Sequence, residues 1–188
     1  MSLQRLTISS LFTAIIAILA QLAVPVPFSP VPVTGQVIGV FLTGALLGRK
    51  AGTLAVFAYL LLGAAGVPVF SMGRGGLHML TGPGGGYLWG FIPAVFLIGF
   101  LLENIEQPSY FRLFTVMLAS LGLIYLCGTM QLALVMGYTT EQALLTGVIP
   151  FLPFDLLKIT AAIFLTIRIK KSLARNNLGS RGTGVLLP

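Results

Sequence analysis

VIPFLPFDLLKITAAIFLTIRI, residues 148 to 169, is the stretch of sequence that decides the fold. About 20 apolar residues are enough for a helix to cross the hydrocarbon core of a bilayer. The only acid–base pair within an apolar stretch of this chain, Asp155 and Lys158, lies here. A charge at such a depth costs at least about 2.5 kcal/mol, so an intramembrane ionisable residue indicates a functional site.

The spacing of Asp155 and Lys158 puts both side chains on one helix face, since residues three apart are neighbours there. A carboxylate accepts hydrogen bonds and an ammonium group donates them. Together they suit a neutral ligand that carries both N–H and C=O groups. The alternative is a structural salt bridge that holds the helix in its bundle. Pro150 and Pro153 predict irregular first turns, which membranes tolerate where the backbone lines a cavity.

Composition predicts an integral membrane protein. The chain has 188 residues, of which 56% are hydrophobic and 8% charged, whereas soluble domains average about 25% charged residues. Strand-like alternation is absent, so we predict an all-α bundle. Residues 1–178 form one transmembrane domain in this interpretation. The small, polar segment 179–188 is predicted to be a disordered tail with no function.

Six spans divide the chain. They are Thr7–Val24, Val33–Gly48, Ala51–Gly66, Tyr87–Leu102, Tyr110–Gly137 and Val148–Ile169. An even number places both termini on one side of the membrane. Basic residues such as Arg49, Lys50, Arg112 and Lys170 then share that side, which the positive-inside rule assigns to the cytoplasm. The net charge of +7 is therefore interpreted as a topology signal, and no nucleic acid partner is expected.

A glycine-rich loop, Val67 to Gly86, separates the third and fourth predicted spans. Long loops in compact proteins are usually functional or disordered, and we expect a lid over an outward-facing pocket. Gly75, Gly85 and Gly86 permit close approach of the backbone to a ligand. Arg74 is the lone cation on the outer side and suits a carboxylate. The alternatives are an inert connector and a solvated arginine.

Thr34 and Gln36 follow the proline-rich segment Pro30–Val33. Prolines stiffen this approach to the second span, which places two hydrogen-bonding side chains at its outer end. We count both as candidate binding residues. Helix capping is the alternative role for Thr34.

The first predicted span carries small residues at helical spacing, which let helices approach closely in lipid. They are Ser9, Ser10, Thr13, Ala14 and Ala17. This face either packs inside the bundle or forms a docking surface for another membrane protein.

Catalytic and metal-binding patterns are absent from the sequence. The chain has one histidine and one cysteine, no paired carboxylates within a span, and no Gly-Lys-Ser/Thr after its glycine cluster. We therefore expect no enzyme activity, no metal, no cofactor and no ATPase in this chain.

Three motifs occur in order: PVPVTGQ at residues 30–36, GPGGGYL at 82–88 followed by Gly90-Phe91, and LPFDLLK at 152–158. They resemble the BioY family, the biotin-binding S components of energy-coupling-factor (ECF) transporters of prokaryotic cell membranes. The resemblance runs from about residue 7 to residue 171. Gly84 departs from it, because the family pattern has threonine there.

The resemblance implies high-affinity capture of biotin on the outer side, with biotin as substrate. It implies a transmembrane T component and two ABC-type ATPases as partners, with the small-residue face of the first span docking the T component. Asp155 and Lys158 would meet the ureido ring, Tyr87 would cover the bicycle, and Arg74 or backbone N–H groups would meet the carboxylate.

Two other functions stay open on the residues alone. One is a stand-alone, proton-coupled secondary transporter of a small vitamin-like substrate, with Asp155 as proton relay. The other is a membrane assembly protein without a ligand, in which the charged pair is purely structural.

Overall fold

The computed structural model describes residues 3–105 and 107–179. Its helices are α1 (Leu3–Gln21), α2 (Gln36–Ala64), α3 (His78–Thr81), α4 (Gly85–Leu102), α5 (Tyr110–Met136), α6 (Thr140–Gly147) and α7 (Leu152–Gly179). A short 3-10 helix covers Ser71–Gly73, and two strands, β1 (Ala23–Val24) and β2 (Val33–Thr34), flank the proline-rich segment. Of the tail predicted at 179–188, residues 180–188 lie outside the described part of the chain.

Four described helices, α1, α2, α4 and α5, are long and apolar enough to cross a membrane. A fifth candidate span consists of α6 and α7, which are bent by 52° relative to each other. The prediction of an α-helical membrane protein is therefore confirmed. The second and third predicted spans correspond to the two halves of α2, which lie on either side of a break in helical geometry at Gly48.

The helix α2 doubles back on itself at Gly48. The backbone there has φ 72° and ψ −178°, a conformation that is essentially restricted to glycine. The side-chain amide of Gln36 donates a hydrogen bond to the Tyr59 hydroxyl, although the two residues would lie about 34 Å apart along a straight helix. The two arms of α2 are thus antiparallel, and their turn lies at the basic residues Arg49 and Lys50, which separate the second and third predicted spans.

One face of α1 packs against the second arm of α2. The Ser9 hydroxyl donates to the Ala51 carbonyl at 3.3 Å, and the Thr13 hydroxyl donates to the Ala55 carbonyl at 2.8 Å. Farther along α1, Ile16 is also buried. These spacings of four and three residues form a single helical stripe, which attaches α1 to the bundle.

Glycines bring α4 close to α5. A methyl group at Gly90 would lie 2.8 Å from the Ile124 Cα, and one at Gly86 would overlap the Cys127 carbonyl. Small residues at a membrane helix interface allow such close backbone approach. The core continues from this contact into α2 and α7 through large buried side chains. These include Phe41, Tyr59, Ile98, Met117, Leu121 and Ile163.

Two local features differ from the sequence-based expectation. The strands β1 and β2 pair in antiparallel register, with Ala23 opposite Thr34, so the described residues contain a short ribbon in addition to the helices. The segment between the fifth and sixth predicted spans contains the helix α6. Thr139 and Gln142 form a reciprocal capping box at its start, which satisfies two backbone donors that a helix otherwise leaves unpaired.

Charged contacts mark the end of the bundle near the Gly48 turn. The Arg49 Nε lies 3.0 Å from a carboxylate oxygen of Glu103, and the Lys170 ammonium donates to the Ile105 carbonyl at 2.8 Å. Lys170 lies about 18 Å along α7 from Lys158 at 1.5 Å per residue. The charged pair identified in the sequence therefore lies toward the other end of the bundle.

Candidate binding site

A cavity of about 420 Å³ lies at one end of the bundle. There α2, α4, α5 and α7 meet the proline-rich segment and the glycine-rich loop. Its volume falls in the range of pockets that enclose drug-sized ligands. Described polar residues on its wall are Thr34, Gln36, Ser71, Arg74, His78, Tyr87, Tyr125, Asp155 and Lys158. Apolar lining comes from Val31, Val37, Phe70, Leu88, Phe91, Ile124 and Phe151. Six of the nine predicted binding residues thus share one cavity.

The Asp155 carboxylate is held from two sides. One oxygen lies 2.7 Å from the Lys158 ammonium, and the other accepts a hydrogen bond of 2.6 Å from the Tyr125 hydroxyl. Asp155 is 4% exposed, so only a small part of its surface is open to solvent. Because a buried charge is costly unless it is paired and hydrogen-bonded, the lysine and the tyrosine explain how the carboxylate is accommodated.

The charged pair is also accessible to the cavity. Both Asp155 and Lys158 lie on its wall, and an ammonium group has three donors, of which one points to Asp155. The pair has no net charge, so it suits a neutral polar group better than an ion. It can both accept and donate hydrogen bonds to a ligand.

A second polar cluster orients Gln36. The Thr34 hydroxyl donates to the Gln36 side-chain oxygen at 2.9 Å, while the Gln36 amide donates to Tyr59. Tyr59 in turn donates to the Val69 carbonyl at 3.0 Å. This chain of hydrogen bonds fixes the amide at the cavity wall and ties α2 to the glycine-rich loop. The alternative role of Thr34 as a helix cap is wrong, because Gly35 occupies the N-cap position without a side-chain bond.

The glycine-rich loop is anchored at both ends. The Gln21 side-chain oxygen accepts a hydrogen bond from the Gly73 backbone at 2.9 Å. The Gln131 amide donates to the Leu80 carbonyl at 2.8 Å and to the Gly82 carbonyl at 2.9 Å. The loop contributes Phe70, Ser71, Arg74, His78 and Met79 to the cavity wall. The loop is thus an ordered wall of the cavity.

Three predicted binding glycines do not line the cavity. At Gly75 an added methyl group would lie 2.9 Å from the Gly66 carbonyl oxygen. At Gly85 it would overlap the Leu80 carbonyl, and Gly86 abuts α5. Close backbone packing therefore explains all three, whereas Gly84 is on the wall.

Arg74 and Tyr87 occupy different depths. Arg74 is exposed and its guanidinium lies 3.6 Å from the Met72 sulfur, so it forms part of the rim. Tyr87 is 9% exposed, and its hydroxyl donates to the Gly147 carbonyl at 2.8 Å. This bond connects α4 to the end of α6 and presents the tyrosine ring to the cavity.

Sequence reasoning missed Tyr125, the aromatic wall residues Phe91 and Phe151, and His78. Tyr125 is a polar aromatic residue in the middle of an apolar span. A search for the group that satisfies the second oxygen of Asp155 would have singled it out. The apolar wall residues carry no such signal, because they resemble ordinary core residues in sequence.

The small residues of α1 divide into two faces. Ser9 and Thr13 are buried against α2, which is the packing role left open by the sequence. Ser10 and Ala14 are exposed, and Ala17 is half-buried. Of this set, Ser10 and Ala14 are accessible to a partner, whereas Ala17 packs against the hydrophobic core.

The arrangement provides three chemically distinct zones. The Asp155–Lys158 pair on α7 supplies hydrogen-bond donors and acceptors without net charge. Aromatic and aliphatic side chains form the middle of the cavity, and the guanidinium of Arg74 lies at its rim. Within the described residues, no group of three or more potential metal ligands occurs. The cavity therefore suits an organic molecule with a polar neutral head, an apolar body and a negative end.

Comparisons with known proteins agree with this chemistry. A family model described as the BioY family matches residues 1–175. A biotin transporter BioY from Thermotoga maritima is 42% identical over 169 residues, covering 90% of this chain and 97% of the relative. A probable biotin transporter BioY from Pyrococcus horikoshii is 35% identical over 170 residues, covering 90% and 98%.

A solved structure is also similar. It is the crystal structure at 2.1 Å of the S-component for biotin from an ECF-type ABC transporter. The TM-score is 0.83 at 33% sequence identity, and the superposition covers 89% of this chain and 91% of that chain.

Proposed function

The chain belongs to the BioY family, and we propose that it is the high-affinity biotin-binding S component of an ECF-type vitamin uptake transporter. In this function it is a substrate-binding transport subunit and not an enzyme. It captures biotin at the outer face and delivers it inward with partner subunits. Biotin is the transported substrate, and no cofactor takes part.

The observation that carries this proposal is the cavity in which Asp155, Lys158 and Tyr125 meet an apolar wall. Biotin has a ureido group with N–H donors and a C=O acceptor, an apolar bicycle and valeryl chain, and a carboxylate. The ureido group suits the Asp155–Lys158 pair. The bicycle suits Tyr87 and its aromatic neighbours, and the carboxylate suits Arg74 at the rim.

The partners follow from the same proposal. A transmembrane T component and two ABC-type ATPases would supply the energy, since the sequence of this chain contains no P-loop. Ser10 and Ala14 form the exposed part of the docking face for the T component, next to the half-buried Ala17. The support for this assignment is their exposure on α1, where Ser9 and Thr13 already pack against α2.

For topology, we propose six crossings with both termini in the cytoplasm of a prokaryotic cell. Each arm of α2 then counts as one crossing, and α6 with α7 as another. Arg49, Lys50 and Lys170 would face the cytoplasm, in accord with the positive-inside rule. The cavity opens to the outside in this orientation. Cysteines introduced at Thr139 and Lys171 would test it: a membrane-impermeant thiol reagent should label the first from outside and not the second.

Titration calorimetry of the purified chain with biotin in detergent tests the proposal. We expect one biotin bound per chain, and no detectable heat with a molecule that lacks the ureido group, such as octanoate. Absence of biotin binding by a folded protein would contradict the proposal. Biotin uptake into vesicles containing this chain alone, driven by a pH gradient, would instead favour the proton-coupled secondary transporter.

A further inference from the structure

The hydroxyl group of Tyr125, on the cavity wall, has a fixed orientation. It lies 2.6 Å from a carboxylate oxygen of Asp155. An ionised carboxylate only accepts hydrogen bonds, so the hydroxyl hydrogen has to point at Asp155. An O–H bond to a charged oxygen at this length is a strong one, and it prevents the hydroxyl group from donating to a ligand. The Tyr125 oxygen therefore faces the cavity as an acceptor.

The acceptor capacity of this oxygen is unused inside the protein. A hydroxyl oxygen has two acceptor lone pairs, and within residues 3–105 and 107–179 no group donates a hydrogen bond to it. Its neighbours on the wall include Phe91, Ile124 and Phe151, each no more than 5% exposed. Hydrogen bonds are electrostatically stronger in such apolar surroundings than in water, so a ligand donor that reaches Tyr125 gains affinity.

Tyr125, Asp155 and Lys158 together present two acceptor groups and one donor group. The Lys158 ammonium has three N–H donors and no acceptor, and one of these donors is engaged by Asp155 at 2.7 Å. Asp155 and the oriented Tyr125 only accept. A ureido group has the complementary set, with two N–H groups on either side of one C=O. The Asp155–Lys158 pair alone supplies one acceptor group for the two N–H groups, and Tyr125 supplies the second.

We propose that Tyr125 is a specificity-determining residue, which accepts a hydrogen bond from one ureido N–H while Asp155 accepts from the other and Lys158 donates to the carbonyl. This inference rests on the proposed function in biotin capture. An analogue with oxygen in place of the N–H at Tyr125 would bring two acceptors together, because the Tyr125 hydrogen is committed to Asp155. A site built to bind an N–H group strongly rejects a ligand that lacks it.

Competition against radiolabelled biotin on the purified full chain tests this role. The probes are biotin and two cyclic carbamate analogues, in each of which one ureido N–H is replaced by oxygen. The variant Y125F should weaken biotin binding about 2- to 13-fold, the range for one neutral hydrogen bond. The analogue whose oxygen faces Tyr125 should bind Y125F at least as tightly as wild type, whereas the other analogue should lose the same factor as biotin.

The matched control is Y110F. It removes a tyrosine hydroxyl from the first residue of α5, which is 53% exposed and lies outside the cavity wall. It should leave the affinities for all three ligands unchanged.

A purely structural role of Tyr125 in holding Asp155 would give a different result. It would weaken the binding of all three ligands to Y125F by the same factor, and this outcome would overturn the inference while leaving biotin capture intact. Failure of both analogues to displace biotin from Y125F would also overturn it, because that variant lacks the opposing oxygen. Absence of biotin binding by the wild-type chain would overturn the proposed function itself, and this inference with it.

A second variant covers the case in which Y125F does not fold. Incorporating 3-fluorotyrosine in place of Tyr125 keeps the shape and the hydroxyl group, but makes that group a stronger donor and a weaker acceptor. It should strengthen the bond to Asp155 and weaken biotin binding. Unchanged or tighter biotin binding by this protein would refute the role of Tyr125 as an acceptor.

Discussion

Replacing Asp155 with asparagine removes the negative charge of the candidate binding site while preserving its shape. In the structure, one Asp155 oxygen lies 2.7 Å from Lys158 and the other 2.6 Å from Tyr125. A hydrogen bond to a charged group contributes about 1.5–3 kcal/mol. We therefore expect the dissociation constant for biotin to rise about 10- to 140-fold, measured by titration calorimetry.

The same change affects stability through Lys158. Breaking a buried pair by removing one partner costs about 3–5 kcal/mol, because the other charge is left uncompensated. We expect Asp155→Asn to lower the thermal unfolding temperature without biotin, and Asp155→Asn with Lys158→Met to restore it. Glu141→Gln is the matched control, since Glu141 is an exposed carboxylate of α6 outside the cavity wall.

The two readouts separate a binding role from a structural one. If the pair contacts biotin, the double variant is stable and still binds weakly. If the pair only stabilises the bundle, the double variant regains both stability and affinity. Wild-type affinity in the double variant, or in Asp155→Asn itself, would refute the assignment of the ureido group to this pair.

Two further predictions concern the rim and the turn. Arg74→Gln should weaken biotin binding by up to about fivefold, as expected for an exposed ion pair. The same change should not alter the affinity for biotin amide, which lacks the carboxylate. Equal losses of affinity for both ligands in calorimetry would contradict the contact. Gly48→Ala should destabilise the fold by about 1–3 kcal/mol because of the positive φ at this position, as measured by thermal unfolding. The control Gly122→Ala, on an open helix surface, should not destabilise the fold. Equal unfolding temperatures of the two variants would contradict the argument from backbone strain.

The sequence predicts much of the helical framework, because spans are encoded by local hydropathy. The ends of α4 and α5 lie within two residues of the predicted positions, and the turn of α2 separates the second and third predicted spans. The short ribbon and α6 were not predicted. Each involves only a few residues of mixed polarity, so local composition carries little signal for them.

The candidate site was predictable where a residue is costly in its surroundings. Asp155 and Lys158 stand out because charge is expensive in an apolar span. Tyr125 does not, since its role depends on a contact with a residue 30 positions away on another helix. Glycines are ambiguous for a different reason: Gly85 and Gly86 permit close approach, but the sequence cannot distinguish approach to a ligand from approach to a neighbouring helix.

The geometry of Asp155 also limits which ligands the site selects. Because Lys158 and Tyr125 already engage both carboxylate oxygens, a ligand has to share or replace one of these bonds. A cationic head would compete with Lys158 at the cost of leaving an ammonium group unpaired, and an anionic head would meet the carboxylate itself. A neutral head with both N–H and C=O groups can contact Asp155 and Lys158 together and keeps the charges balanced. The proposed preference for a ureido group thus follows from the pairing inside the protein as well as from the chemistry of the ligand.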